Sequence, residues 1–130
     1  MGVPTLGCPC AVCNSADPHD RRLRPSVLLR WTEASGTERV VVIDTGPDFR
    51  EQALREHVTH IDAVLYTHAH ADHILGMDDL RPLSFISERR GGPIPLYADA
   101  EAAKILEQVF SYTFSPDSTY LTRARVQLIP

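Results

Sequence analysis

No stretch of this chain approaches the roughly 20 apolar residues that a membrane-spanning helix needs. Basic residues are in short supply: 13 Lys and Arg stand against 17 Asp and Glu, a net charge of −4. That balance argues against a nucleic-acid-binding surface, which is usually basic. Cysteine is absent outside positions 8, 10 and 13. Three thiols crowded into so short a stretch argue against a disulfide framework and point to metal binding in a reducing compartment. Met1-Gly2-Val3-Pro4 offers neither the basic nor the apolar region of a secretory leader, so the expected location is cytoplasmic. There is no internal repeat and no low-complexity tract. What is left is an ordinary globular composition, 43% hydrophobic over 130 residues, enough for one domain with a real core and too little for two.

Against these absences, one stretch is dense in chemistry: Thr67-His68-Ala69-His70-Ala71-Asp72-His73. Three imidazoles and a carboxylate follow the apolar run Ala63-Val64-Leu65-Tyr66 directly. Imidazole and carboxylate are the ligands that Zn, Mn or Fe select. His68 and His70, two apart, face the same way on an extended backbone and can share one ion. Asp72 and His73 point apart on a strand, but a helix starting here brings them to a second ion. A loop at the C-terminal end of a buried strand is where α/β proteins build sites. The plainer alternative is a solvated loop rich in histidine. After His73 the sequence holds no further histidine.

The second cluster is Gly7-Cys8-Pro9-Cys10-Ala11-Val12-Cys13. Cys8, Cys10 and Cys13 can converge on one tetrahedral zinc that takes its fourth ligand from elsewhere, His19 or a more distant residue. Free cysteines or a redox pair remain alternatives. The charged loop around Arg21, Arg22, Arg24 and nearby Arg30 suits a phosphate, although charge runs are mostly solvated faces.

The rest of the chain reads as scaffold. Ser26–Trp31 and Arg39–Ile43 form a hairpin around Ser35-Gly36-Thr37. Asp44-Thr45-Gly46-Pro47 is a sharp turn. Asp48 and Glu51 then open a helix as a capping box, and it runs to about His57 with Ala53, Leu54 and Val58 inward. His57 and His60 receive no role. Met77–Ser87 has helical spacing that Pro82 breaks or kinks, and Glu88–Pro93 is a connector. Ile94–Tyr97 is a strand. Asp99 caps a helix with Ala103, Leu106, Val109 and Phe110 on its core face. Ser111–Arg125 reads as loop, and Val126–Ile129 as a strand stopping at Pro130.

The His-x-His-x-Asp-His pattern resembles the signature of the metallo-β-lactamase superfamily, whose fold is a four-layered αββα sandwich. Gly2-Val3-Pro4 with the three cysteines is similar to the start of one phosphodiesterase subgroup, that of the cyclic ribose-phosphate phosphodiesterases of the carbon–phosphorus lyase pathway. The resemblance implies two divalent ions, Zn or Mn, with His68 and His70 on the first and Asp72 and His73 on the second. Asp72 would also steer a metal-activated hydroxide as the catalytic carboxylate. It further implies a structural zinc on Cys8, Cys10 and Cys13, and an Asp44 that braces the metal loop. The chain then corresponds to about the first half of the sandwich, with residues 1–25 as the cysteine-rich zinc loop and residues 26–130 as the first αβ half. The expected activity is hydrolysis of a small-molecule phosphodiester, without nucleic acid or membrane and with a homodimer as an option. Cleavage of a thioester, lactam or lactone, or a zinc-binding fragment without turnover, are the alternatives. A tRNA-processing nuclease is weaker, because of the acidic balance.

Overall fold

A computed structural model describes residues 1–115 and 125–129. Five strands lie in the order β1 (Val27–Thr32), β2 (Glu38–Ile43), β3 (Ala63–Leu65), β4 (Pro95–Ala98) and β5 (Arg125–Leu128). The first pair is the expected antiparallel hairpin, with Val27 opposite Ile43 and Thr32 opposite Glu38. All later pairs are parallel, and parallel neighbours need crossovers. These are α1 (Phe49–Arg55), the pair α2 (Ala71–Ile74) and α3 (Arg81–Arg90), and then α4 (Ala100–Val109) with α5 (Ser111–Phe114). The outcome is the mixed α/β architecture that the sequence led us to expect. No helix among the described residues is long and apolar enough to cross a membrane.

Register decides where the core sits, because alternate residues of a strand face opposite sides. Val42, Val64, Leu96 and Val126 align across β2 to β5 and, with Val40 and Ala98, face the side covered by Phe49, Ile74, Leu80, Leu106 and Phe110. Val64 and Leu106 have no exposed surface at all. The other side of the sheet is apolar too, yet open. Val27, Leu29 and Trp31 of β1 are each about half exposed, Trp31 at 47%, and Val41, Ile43, Ala63 and Leu65 beside them are only partly covered.

Several local expectations are corrected. The carboxylate of Asp48 does not cap α1. It accepts the Arg24 backbone N–H at 2.7 Å and the Arg24 guanidinium at 3.0 Å. α1 ends at Arg55, short of His57, which takes a positive φ of 51°, and Leu54 points outward while Phe49 fills the core. The break expected at Pro82 is present, since the helical stretch divides between Leu80 and Arg81. Pro82 sits in the first turn of α3, where its missing N–H has no partner to lose, behind a 3-10 turn at Met77–Leu80. α3 continues to Arg90 through the expected connector and stops at Gly91, φ 135°.

Asp99 caps α4 as expected, accepting the Ala102 N–H at 2.7 Å. Val109, however, is 47% exposed and Ala102 takes its place in the core. α5 occupies the start of the stretch expected as loop, and the rest of that stretch, 116–124, lies outside the described residues, as does Pro130.

Candidate metal centre

Parallel pairing of β2 and β3 brings two turns together at their C-terminal ends, Asp44-Thr45-Gly46 and the histidine loop. Asp44 adopts φ 61°, a conformation that Asp and Asn tolerate better than most residues. Its N–H donates to the Leu65 carbonyl at 2.8 Å, extending the ladder by one residue. The turn is then stapled to α2, since the Thr45 N–H reaches the His73 carbonyl and the Gly76 N–H reaches the Thr45 carbonyl, both at 2.8 Å. Backbone approach is close enough to demand glycine twice. A Cβ at Gly46 would run into the Asp72 carbonyl oxygen, and one at Gly76 into the Gly46 carbonyl and Phe49. Beneath the staple, the hydroxyls of Thr45 and Tyr66 pair at 2.8 Å in full burial. Desolvation raises the Tyr66 phenol well above its ordinary pKa, against a smaller opposite effect of the Thr45 hydrogen bond, so it stays neutral.

The buried carboxylate of Asp44 organises the loop. Oδ1 accepts the Thr67 N–H at 2.8 Å. Oδ2 accepts the Thr67 hydroxyl at 2.7 Å and lies 2.7 Å from His73 Nδ1. A carboxylate only accepts, so the hydrogen in this contact sits on His73 Nδ1, and Nε2 is the nitrogen that the neutral ring offers to a cation. His73 is mostly buried; His70, with extended backbone just ahead of α2, is exposed. The His68 ring lies 4.6 Å from that of His70 and 4.0 Å from that of His73, centre to centre. Asp72 sits half-buried in the only turn of α2. Three imidazoles and one carboxylate on one loop, one ring held in a ligating tautomer, form a donor set that suits borderline divalent ions.

The cysteines are held differently. The sulfurs of Cys8, Cys10 and Cys13 lie within 4.8 Å of one another, and theirs is the one group of three potential ligands that converges so tightly among the described residues. None is in a disulfide. Asn14 gathers the loop by donating its side-chain amide to the carbonyls of Cys8 and Cys10, at 3.3 and 2.9 Å. The Cys10 thiol is lowered below its ordinary pKa, first by the Cys13 backbone N–H and then by the other two thiols. Cys8 is raised: its neighbouring thiols outweigh the backbone N–H of Cys10, which acts the other way. Three converging thiols fit three corners of a zinc tetrahedron. His19 does not join them; its ring is 93% exposed and hydrogen-bonded to Asp17. His57 and His60 lie away from both clusters, His60 beside Asp62 and the Glu38 carbonyl.

Residues 39–129 match the family model of the beta-lactamase superfamily domain. The chain belongs to the metallo-β-lactamase superfamily. Among solved structures of this superfamily, a diphosphatase of the PhnP family is 52% identical and superposes on the whole chain with a TM-score of 0.82, while the chain covers 47% of that protein. A Zn(2+)-bound PqqB from Methylobacterium extorquens is 27% identical, with a TM-score of 0.64 over 98% of this chain and 42% of that one. A Porphyromonas gingivalis octanoyltransferase is 41% identical over 87% of this chain but only 21% of its own length. The chain thus spans between a fifth and a half of these relatives. Among the described residues one five-stranded sheet carries its helices on one side.

Sequence reasoning missed the parts that position the histidine loop: Thr67, Tyr66 and the Gly46–Gly76 contact. The available signal was a hydroxyl residue immediately before the first histidine.

Proposed function

We propose that this chain carries the metal-holding half of a hydrolase that cleaves phosphorus–oxygen bonds in a small phosphodiester or diphosphate. The observation behind this reading is the bunching of the His68, His70 and His73 rings beside a buried aspartate that holds one of them in a ligating tautomer. The likeness to a PhnP-family diphosphatase supports the choice of phosphorus over a thioester, lactam or lactone. His68 and His70 would hold one divalent ion, Asp72 and His73 a second, and Cys8, Cys10 and Cys13 a structural zinc. When bound, Zn or Mn supplies a water acidic enough to ionise near neutral pH and positive charge against that building on phosphate oxygens. Asp72 adds a carboxylate that accepts a hydrogen bond from the attacking water and aims it. Asp44 and the Thr45 staple keep the loop in one shape, so little order has to be imposed as substrate arrives.

A second reading, zinc binding without turnover, is favoured by the number of donors on the histidine loop, two for each of two ions. Two protein ligands per ion fall short of the three that catalytic zinc usually takes. Hydrolysis of a model aryl phosphodiester, a diphosphate and a thioester, each with added Zn or Mn, separates the readings. Turnover of a phosphorus ester that His70→Ala abolishes carries the first. Zinc uptake without turnover carries the second. Equal turnover by wild type and variant overturns the placement of the site.

A further inference from the structure

We infer that Thr67 is a positioning residue that fixes the tautomer of His68, so that Asp44 governs two imidazoles instead of one. The inference rests on the histidine loop being the metal site, and it follows from counting hydrogens. The Asp44 carboxylate is an acceptor only, so the short contact from Thr67 Oγ to Oδ2, 2.7 Å, uses the single hydroxyl hydrogen of Thr67. The same Thr67 oxygen lies 2.9 Å from His68 Nδ1. With its hydrogen already committed, that oxygen can only accept there. His68 must therefore carry its hydrogen on Nδ1, which leaves the lone pair on Nε2. His73 reaches the same carboxylate oxygen directly, at 2.7 Å. One oxygen atom thus sets both rings alike, the first through a hydroxyl and the second without an intermediary. Both rings, 4.0 Å apart, then offer the same nitrogen to a cation. In water a free imidazole prefers the opposite tautomer, so without this relay His68 must rearrange before it can bind through Nε2. Outer partners of this kind ordinarily change metal affinity by about 10- to 100-fold, and an exposed hydroxyl belongs at the lower end.

The test compares Thr67→Val with Thr67→Ser in the 130-residue chain. Both keep the backbone N–H that bonds Asp44 Oδ1, and in Thr67→Val the buried Asp44 Oδ2 still has His73 Nδ1 as a partner. Long-range proton–nitrogen NMR of the histidine rings, recorded metal-free at about pH 8 where ordinary imidazoles are neutral, reads the tautomer directly. Wild type and Thr67→Ser are expected to show His68 protonated on Nδ1; Thr67→Val is expected to move it toward the Nε2-protonated form. Zinc titrated against the same ring signals should bind about tenfold more weakly in the valine variant and normally in the serine variant. An unchanged His68 tautomer in Thr67→Val overturns the inference. A tautomer that shifts while zinc leaves the His68 signals untouched upholds the relay and overturns the metal reading instead.

Discussion

The cysteine loop and the histidine loop both gather potential metal donors, but they are built by opposite means. The cysteines converge through local geometry: close spacing, one asparagine side chain and a few turn hydrogen bonds, all near the surface. The histidines owe their placement to partners more than 20 residues away. Asp44, Thr45 and Gly46, at the end of the neighbouring strand, bond or pack against Thr67, Asp72, His73 and Gly76. A local cluster survives damage to the core, while a cluster assembled over long range shares its fate. A stabilising ion suits the first design, since metal can supply the order that the backbone lacks. A site that must present several ligands in fixed orientation suits the second.

The comparison can be broken most sharply at Gly46. Gly46→Ala forces a methyl into the Asp72 carbonyl, backbone against backbone, and is expected to cost about 3 kcal/mol in urea unfolding. Zinc held by the cysteines should be unaffected in whatever fraction stays folded. A wild-type midpoint for Gly46→Ala would mean that the two turns are not in contact.

Asp44→Asn has a narrower effect. Asn tolerates the same left-handed backbone, but its amide hydrogens meet the donors that now converge on the carboxylate. Zinc affinity at the histidines should fall by about 10- to 100-fold, read by isothermal titration, with the cysteine site unchanged. Equal loss at both sites would show that the clusters are coupled through the fold.

The smallest effect lies within the cysteine loop. In metal-free protein Cys10, with its lowered pKa, should be alkylated by iodoacetamide ahead of Cys8, whose pKa is raised. Raising the pH through the raised Cys8 pKa should narrow that lead, because Cys8 then gains its thiolate as well. Peptide mass spectrometry resolves the order, and preferential labelling of Cys8 would contradict the geometry of the loop.

The same division governs what could be read in the sequence. The hairpin, the short later strands and the capped helix after Asp99 were legible because period and turn residues act over a few positions. The spacings of the histidine and cysteine motifs were legible for that reason as well, and so was the family resemblance built on them. Asp48 was misread because its partner, Arg24, lies 24 residues back, and no local pattern announces a carboxylate diverted from a helix cap. The early break at Pro82 was legible, because a proline fits only the first turn of the α-helix that follows. Val109 satisfied a helical stripe on paper, yet the buried face of α4 is centred on Ala102, Ala103 and Leu106. The tie between Thr67, Asp44 and His73 was beyond reach, since it exists only once β2 and β3 are paired.

The bare side of the sheet has a practical consequence. Trp31 is the only tryptophan in the protein and stands half uncovered on that side, in the strand at its margin. Any layer that settles over it will take water away from the indole and move its emission to shorter wavelength. The chain therefore carries an intrinsic fluorophore where any such covering would be felt, and a spectrum taken during refolding or mixing can register that event without an added label.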